Sequence, residues 1–418
     1  MPMKGYIFNC WGIQQAADMI NSLSGLRFLH VAALAEVIVH FKIPLLDMIS
    51  TEGAVQSIYC SDEQYSMSRE DSYREGGHLR KLMDLGYDIN VGPVTRRPSL
   101  RTLVEIVALS RHIRRAKYDV VIAHQTIGSM LAMPAALLAG TPVKMYFSGG
   151  LRVVTSTDRL INKYGEQLLI NLSDAIMLNN LEDYEYVLKL KGGKRKAHLV
   201  GAMEGCGIDT AKISPQVRMA DRPGMRHKLG LADKEKVIGY VGRLVWEKGI
   251  QDLIEGASIL NRRMPGQKLR YLLIGAGPDA QSIKNRVRSQ GLSDQFIFTG
   301  YRFDFEKYLA ASDFFALPSY REGMPTALLQ AMAMGLPCVA SNVRGSRELI
   351  SDGQNGLLVD SNKPEELAAA LTVLMGDPLR AQVMGSKARE TVKSSYSREI
   401  LLSRTMDTLR DVIGKALA

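Results

Sequence analysis

Residues 313–340 read DFFALPSYREGMPTALLQAMAMGLPCVA, and the order of local patterns in this stretch decides the fold class. Asp313 to Leu317 is a short apolar run that suits a strand buried in a parallel sheet. Prolines and a glycine interrupt residues 318–325, and from Thr326 the alanines, leucines and methionines favour a helix until Gly335. A further apolar run follows, so the stretch predicts a strand, a loop, a helix and a second strand.

Glu322 lies in the predicted loop, and Gln330 lies a little over one turn inside the predicted helix. In such a unit the free N–H groups at the helix start point to the carboxyl edge of the sheet, where a pyrophosphate can bind. Taken alone, the stretch fits an ordinary βαβ corner with a solvated Glu322 as well as it fits a nucleotide-sugar site.

The composition is that of a soluble globular protein with room for two cores. The chain has 418 residues, of which 46% are hydrophobic and 23% charged. Its four cysteines show neither metal-ligand spacing nor the density of a disulfide framework, so we expect no metal site and a reducing, cytoplasmic location. The first residues lack a basic segment leading into an apolar core, which also argues against a secretion signal. The net charge of +10 favours anionic partners.

Apolar strand candidates alternate with helical stretches along most of the chain, as in a parallel sheet covered on both faces. The alternation occurs in two series, so we predict an α/β fold of two doubly wound, Rossmann-like parallel-sheet domains that face a cleft. The predicted divisions are an N-terminal extension at 1–26, a first, acceptor-binding domain at 27–207, a linker at 208–235, a second, donor-binding domain at 236–394, and a C-terminal helix at 395–418 that crosses back to the first domain. The clearest helix is Leu100 to Lys117, whose period predicts one buried side formed by Leu103, Ile106, Val107 and Ile113.

The turn after the first strand of the second series reads GYVGRLVWEKG from Gly239 to Gly249. Gly242 lets the backbone turn at the end of a strand, and Arg243 and Lys248 then lie over the edge that Glu322 reaches. Arginine offers a fork for phosphate oxygens and lysine a mobile point charge. Two solvated basic residues would be the ordinary interpretation of the turn by itself. Its convergence with the acidic loop and the helix start favours a diphosphate site.

Four segments in the second predicted domain resemble a known family. They are GRLVWEKG at 242–249, REGMPTALLQAMAMGLPCVA at 321–340, NVRGSRELI at 342–350 and DGQNGLLV at 352–359. Together they resemble the family 4 retaining glycosyltransferases of the GT-B fold, which include bacterial enzymes that build surface glycans. The match is weaker in the first half, where DVVIAH at 119–124 resembles the strand end of the family's acceptor domain.

By position, the resemblance implies that Arg243 and Lys248 bind the donor diphosphate and that Glu322 contacts the hydroxyls of the transferred sugar. His124 would lie near the acceptor or the sugar, although a histidine after a buried strand is as often a structural one. The family's second Glu, which holds the ribose hydroxyls, is Gln330 here, and Gln lacks the charge that strengthens a carboxylate's hydrogen bond. The backbone from Gly323 to Thr326, a run that includes Met324 and Pro325, would add N–H donors to the phosphates.

The function implied is a retaining, metal-independent transfer of a sugar from a nucleotide-diphosphate sugar to a glycan or lipid-linked acceptor. UDP is the nucleotide that we expect in the donor. No Asp-x-Asp sequence of the kind used by metal-dependent sugar transferases is present, and no cofactor is expected. Two alternatives remain open. One is a GT-B nucleotide-sugar epimerase, and the other, suggested by Gln330, is a non-catalytic nucleotide-sugar-binding protein.

An anionic membrane surface is a candidate partner, which would place the protein peripherally on the inner face of the membrane. Two basic runs, at 96–117 and 189–196, would meet the lipid headgroups, which attract nearby cations. The apolar stretch from Val37 to Ile49 would touch the membrane if its face is exposed. Nucleic acid is not expected, because the basic runs lack interleaved aromatics and no binding motif is present.

Overall fold

A computed structural model describes residues 23–61, 77–94, 100–151 and 159–418. Arg96, Arg97 and most of the predicted N-terminal extension lie outside these ranges. Within them, the chain forms two α/β units, each built on one parallel sheet with helices packed against it.

The first sheet has seven described strands in the order β3-β2-β1-β4-β5-β6-β7, and every pairing is parallel. The strands are β1 (Arg27–Leu34), β2 (Val55–Ser61), β3 (Asp88–Val91), β4 (Val120–His124), β5 (Val143–Ser148), β6 (Ala175–Leu178) and β7 (Ala197–Leu199). The helices are α1 (Ala35–Phe41), α2 (Ile43–Thr51), α3 (His78–Asp84), α4 (Leu100–Ala116), α5 (Gln125–Ala139), α6 (Arg159–Leu172), α7 (Leu181–Leu188) and α8 (Gly193–Lys196).

The second sheet has six described strands in the order β10-β9-β8-β11-β12-β13, again all parallel. A helix, α9 (Pro215–Lys228), precedes it. The strands are β8 (Lys236–Val241), β9 (Leu269–Ile274), β10 (Phe296–Gly300), β11 (Phe314–Leu317), β12 (Cys338–Ser341) and β13 (Leu357–Val359). The helices are α10 (Ile250–Arg263), α11 (Ala280–Ser289), α12 (Phe305–Leu309), α13 (Thr326–Ala333), α14 (Arg344–Leu349), α15 (Pro364–Gly376), α16 (Pro378–Ser395) and α17 (Arg398–Leu417).

The predicted strand, loop, helix and strand of residues 313–340 are confirmed as β11, α13 and β12. All four residues of β11 and all four of β12 are buried, as expected of central strands covered on both faces. The short strand β7 was not predicted from the sequence, because three half-buried residues give no periodicity to detect.

The helix predicted at Leu100 to Lys117 is confirmed as α4, but its predicted buried side is only half correct. Ile113 is buried and Ile106 packs against the core, whereas Leu103 and Val107 are 60% and 42% exposed. The apolar stretch from Val37 to Ile49 is also not a free surface. Val37, Ile38, Val39, Leu45, Leu46 and Ile49 are all buried in α1 and α2.

The chain passes between the two domains at two points that are hydrogen-bonded to each other. The Ile208 N–H donates to the Tyr396 carbonyl, and the Arg398 N–H donates to the Ile208 carbonyl, both over 2.8 Å. Beyond this crossing, α17 packs on the first domain, with Leu402, Met406 and Leu409 in one cluster with the sheet. An ion pair of 2.5 Å between Arg410 and Glu52 ties the same helix to the end of α2. The last helix therefore joins the second domain to the first.

Candidate active site in the interdomain cleft

The two sheets present their carboxyl edges to each other. The loop after β5 meets the loop after β11, since a Cβ added to Gly323 would lie 3.6 Å from the Gly149 carbonyl oxygen and 3.7 Å from the Gly150 Cα. Open parallel sheets bind ligands outside the carboxyl ends of their strands. The crevice between these loops is therefore the candidate site.

Lys248 and Glu322 are joined on the second-domain side of this crevice. Lys248 Nζ lies 2.8 Å from Glu322 Oε1, and the two side chains are 26% and 10% exposed. Lys248 ends a short 3₁₀ turn, Trp246–Lys248, after β8, and Glu322 lies in the loop between β11 and α13. The structure thus brings together the two charged residues that the sequence places far apart.

Backbone contacts fix the relative position of these two loops. The Tyr320 N–H donates to the Glu247 carbonyl over 3.0 Å. Gly249 has a φ of +68°, and a Cβ there would lie 1.7 Å from the Pro318 carbonyl oxygen, so only glycine fits. The Tyr320 hydroxyl also donates to Asp252 in α10 over 2.9 Å. The loop that carries Glu322 therefore also fixes the backbone position of Lys248.

A second glycine contact supports the turn after β8 and was missed in the sequence. Gly275, after β9, has a φ of +148°, and a Cβ there would lie 1.9 Å from the Gly242 carbonyl oxygen. The Leu244 N–H donates to the Ala276 carbonyl over 2.9 Å. The IGAGPD pattern at 274–279 was the available signal, since glycines after a strand mark close backbone approach.

Arg243 is exposed at the sheet edge, and its carbonyl accepts a hydrogen bond of 3.0 Å from the buried Tyr240 hydroxyl. Burial raises the pKa of Tyr240, the Glu322 carboxylate raises it further, and the Arg243 cation opposes both. Tyr240 therefore stays a neutral phenol between the two charges, and it supports the turn that carries Arg243.

The start of α13 completes the second-domain side. The Leu328 and Leu329 N–H groups both donate to the Pro325 carbonyl over 3.1 Å, which makes them the first to enter the helical pattern. The N–H groups at the preceding positions of a helix have no intrahelical acceptor and are available to an anion. Gly323, Met324 and Thr326 line this turn, and the half-buried Gln330 follows within α13.

His124 is placed differently from the other predicted site residues. It ends β4, is fully buried, and its Nε2 lies 3.1 Å from His30 Nδ1. The two rings stack at 5.4 Å, and the His124 ring also contacts Phe147 at 5.6 Å. Burial lowers the pKa of His30 well below the usual value, with the neighbouring His124 and Lys42 contributing. In this geometry His124 is part of the interior of the first domain.

The described ranges contain no group of three or more His, Cys, Asp or Glu side chains arranged to hold a metal ion. No helix in them is long and apolar enough to span a bilayer.

Residues 221–391 match the family model for glycosyl transferases group 1. This range contains Arg243, Lys248, Glu322 and Gln330. The second domain is therefore a group 1 glycosyltransferase domain of the family 4 type, and the two facing parallel-sheet domains form a GT-B fold.

Curated relatives extend the similarity over most of the chain. EpsD of Bacillus subtilis, which is named as a glycosyltransferase, is 27% identical over 327 residues, or 77% of this chain and 83% of EpsD. A galactosyltransferase of Escherichia coli, named for transfer from UDP-Gal to GlcNAc-diphosphoundecaprenol, is 27% identical over 322 residues, or 75% of this chain and 79% of that enzyme.

Solved structures show the same fold at lower identity. Anabaena HepE in complex with UDP superposes with a TM-score of 0.71 at 19% identity, covering 92% of this chain and 99% of HepE. A glycosyltransferase from Rickettsia africae gives a TM-score of 0.73 at 15% identity, covering 93% and 99%.

Proposed function

We propose that the protein is a retaining, metal-independent glycosyltransferase that moves a sugar from a UDP-linked donor to a glycan or lipid-linked acceptor in bacterial surface polysaccharide or glycoconjugate synthesis. The observation that carries the proposal is the Lys248–Glu322 pair, 2.8 Å apart, beside the start of α13. Arg243 and the amides of α13 add positive potential on the same side. The named activity of the Escherichia coli relative and the UDP bound to HepE support the choice of donor and acceptor.

The chemistry follows from where charge develops. As the bond between the anomeric carbon and the β-phosphate oxygen breaks, positive charge grows on the sugar and negative charge on the diphosphate. Lys248, Arg243 and the α13 amides stabilise that diphosphate more strongly in the transition state than in the ground state. Glu322 binds the sugar hydroxyls and stands near the cationic sugar. The acceptor hydroxyl bonds to the anomeric carbon on the same face, and a donor phosphate oxygen takes its proton.

In this proposal the two cations take the role that a divalent metal has in other sugar transferases, and no cofactor takes part. The protein would act at the inner face of the membrane, where lipid-linked acceptors present their phosphates. Its exposed helix α4 supports this location. Leu100, Leu103, Val104 and Val107 form an apolar stripe on that helix that is 42–85% exposed, and Arg101, Arg111, Arg114 and Arg115 are exposed beside it.

The decisive experiment incubates the protein with a panel of UDP and GDP sugars and measures nucleotide release with and without lipid-phosphate acceptors. We expect acceptor-dependent release with one donor, unchanged by EDTA, and a product whose anomeric configuration, read by NMR, matches the donor. Conversion of the donor sugar to an epimer without transfer would instead support the epimerase. Nucleotide binding without turnover of any donor would support the non-catalytic alternative.

A further inference from the structure

A buried ion pair joins the two domains beside the candidate site. Arg344, the first residue of α14 in the second domain, places Nη1 2.5 Å from Asp183 Oδ1 in α7 of the first domain. The two side chains are only 9% and 1% exposed. Removing charged groups from water is costly unless their hydrogen bonds are well satisfied, so a pair this buried requires support on both sides.

The first domain supplies that support to Asp183. Its Oδ2 accepts from the Asn180 side-chain amide over 2.8 Å and from the Leu151 N–H over 3.1 Å. Asn180 also caps α7, because its Oδ1 accepts from the Asp183 N–H over 2.8 Å. The carboxylate is therefore fixed by its own helix and by the loop after β5, which is the loop that faces Gly323.

On the other side, Arg344 packs against the loop that carries Glu322. The N–H of the next residue, Gly345, donates to the Glu322 carbonyl over 3.2 Å. A Cβ on Gly345 would lie 2.4 Å from the Gly323 carbonyl oxygen. Arg344 Nη2 lies 3.7 Å from the Cβ position of Gly323 and 4.0 Å from that of Gly150. One guanidinium thus contacts both walls of the cleft.

We propose that Arg344 is a positioning residue for glycosyl transfer: anchored by Asp183, it holds the Glu322–Gly323 loop against the first domain, so that cleft closure and placement of Glu322 occur together. The inference rests on the proposed function. It assigns no contact with the donor to Arg344. The groups that would bind the diphosphate belong to the second domain alone, so UDP affinity does not depend on this anchor.

The geometry requires the arginine fork. Nη1 engages Asp183 while Nη2 approaches Gly323 and Gly150, and a lysine ammonium cannot fill both positions. A displacement of about 1 Å at a reacting group can lower a rate by about 100-fold. Loss of the anchor should therefore lower kcat and leave nucleotide binding intact.

The test compares Arg344→Lys and Asp183→Asn with Arg347→Ala. Arg347 lies on the same helix and crosses the same interface to Glu182, but that pair of 3.0 Å is 48% and 44% exposed. We expect the first two variants to lower kcat by about 100-fold and to change the Kd for UDP by less than about threefold. Arg347→Ala should stay close to wild type in both. The double variant Arg344→Lys with Asp183→Asn should be no worse than the poorer single variant.

Hydrogen exchange supplies a readout that needs no turnover. Amides at 320–326 should exchange faster in Asp183→Asn than in wild type or Arg347→Ala. Removing one partner of a buried pair lowers stability, so a cooperative thermal transition and a wild-type circular dichroism spectrum, rather than an equal melting temperature, confirm that each variant is folded. Three results would overturn the inference. They are a wild-type kcat in Arg344→Lys and Asp183→Asn, a loss of UDP affinity in these variants as large as their loss of kcat, and unchanged exchange at 320–326. A wild-type protein that turns over no donor would refute the proposed function instead, and the exchange data would still decide whether Arg344 positions the loop.

Discussion

Lys248 and Glu322 form an ion pair of 2.8 Å at the edge of the second sheet, although 74 residues separate them. In this arrangement the carboxylate neutralises a cation that would otherwise be available to a diphosphate. Loss of the lysine should therefore weaken nucleotide binding, whereas loss of the carboxylate charge should not.

Lys248→Ala should weaken UDP binding and lower turnover by about 100-fold, because it removes a group that stabilises the leaving diphosphate. Glu322→Gln should also lower turnover, since it loses a charged contact to the sugar, but it should leave UDP affinity unchanged or improved because Lys248 is released. Calorimetry with UDP and initial rates with the identified donor measure both effects.

Arg321→Ala provides the matched control for this pair. Arg321 adjoins Glu322 and lies 3.7 Å from Glu247, but both of these side chains are more than half exposed. Its loss should change UDP affinity and turnover little. Equal weakening of UDP binding by Lys248→Ala and Glu322→Gln would contradict the opposed roles.

Gln330 offers a gain-of-affinity test. If it faces the ribose, Gln330→Glu should tighten UDP binding by about five- to tenfold, because a charged acceptor makes the stronger hydrogen bond. Gln281→Glu, on the exposed surface of α11, changes the net charge equally and is the control. UDP affinity that does not respond to Gln330→Glu would remove Gln330 from the ribose site.

Measuring both stability and turnover shows whether His124 has a structural or a catalytic role. His124→Gln should lower the free energy of unfolding by about 1–3 kcal/mol, because the buried His30 Nδ1 loses its partner at 3.1 Å. His227→Gln, in an exposed position, should change stability little. Turnover per folded molecule then distinguishes the two roles. A loss of turnover in His124→Gln no larger than that in His227→Gln would limit His124 to a structural role.

A second contact between the domains predicts a pH dependence. The buried His78 Nε2 lies 3.2 Å from the Tyr301 hydroxyl of the second domain and 3.3 Å from His40 Nε2. Burial lowers the pKa of His78 to about 4, and the cationic forms of His40 and Lys81 contribute. The imidazole of an unfolded chain titrates near pH 6.5.

Between these two values the unfolded state binds the proton more readily, so stability contributed by neutral His78 is lost as the pH falls from about 6.5 to about 4. The midpoint of urea unfolding should therefore fall between about pH 7.5 and about pH 5. His78→Gln should show a smaller fall over the same interval. An identical pH dependence in the variant would show that other groups carry the effect.

The sequence predicts local patterns better than it predicts contacts between domains. The strands β8, β9 and β11 can be recognised from their largely apolar sequences, and the glycine turns and charged residues beside them have recognisable spacing. No local sequence pattern identifies Arg344 and Asp183 as partners, because they lie 161 residues apart and meet only when the two domains face each other. The exposed side of α4 was mispredicted for a related reason. Its apolar period shows that a stripe exists, but the period does not show whether the stripe meets the core or another surface.

That stripe leads to a test of membrane association. Leu103 and Val104 are 60% and 69% exposed, and arginines lie on the same helix. An apolar face next to cations suits the boundary of an anionic bilayer, where acyl chains accept the apolar residues and headgroups attract the arginines. We expect wild-type protein to sediment with phosphatidylglycerol-containing vesicles at low salt and much less with phosphatidylcholine vesicles.

Leu103→Glu with Val104→Glu should weaken the vesicle association at least about tenfold, because each side chain contributes about 1.5–3 kcal/mol when fully buried and the new charges repel the headgroups. Leu379→Glu with Val383→Glu is the matched control, since those side chains are 77% and 54% exposed on α16 of the second domain. Because α4 belongs to the first domain, which we propose binds the acceptor, binding through it would bring the cleft toward a lipid-linked acceptor. An equal loss of vesicle association in both double variants would mean that binding follows net charge alone. Wild-type protein that stays in the supernatant at low salt would exclude α4 as a membrane contact.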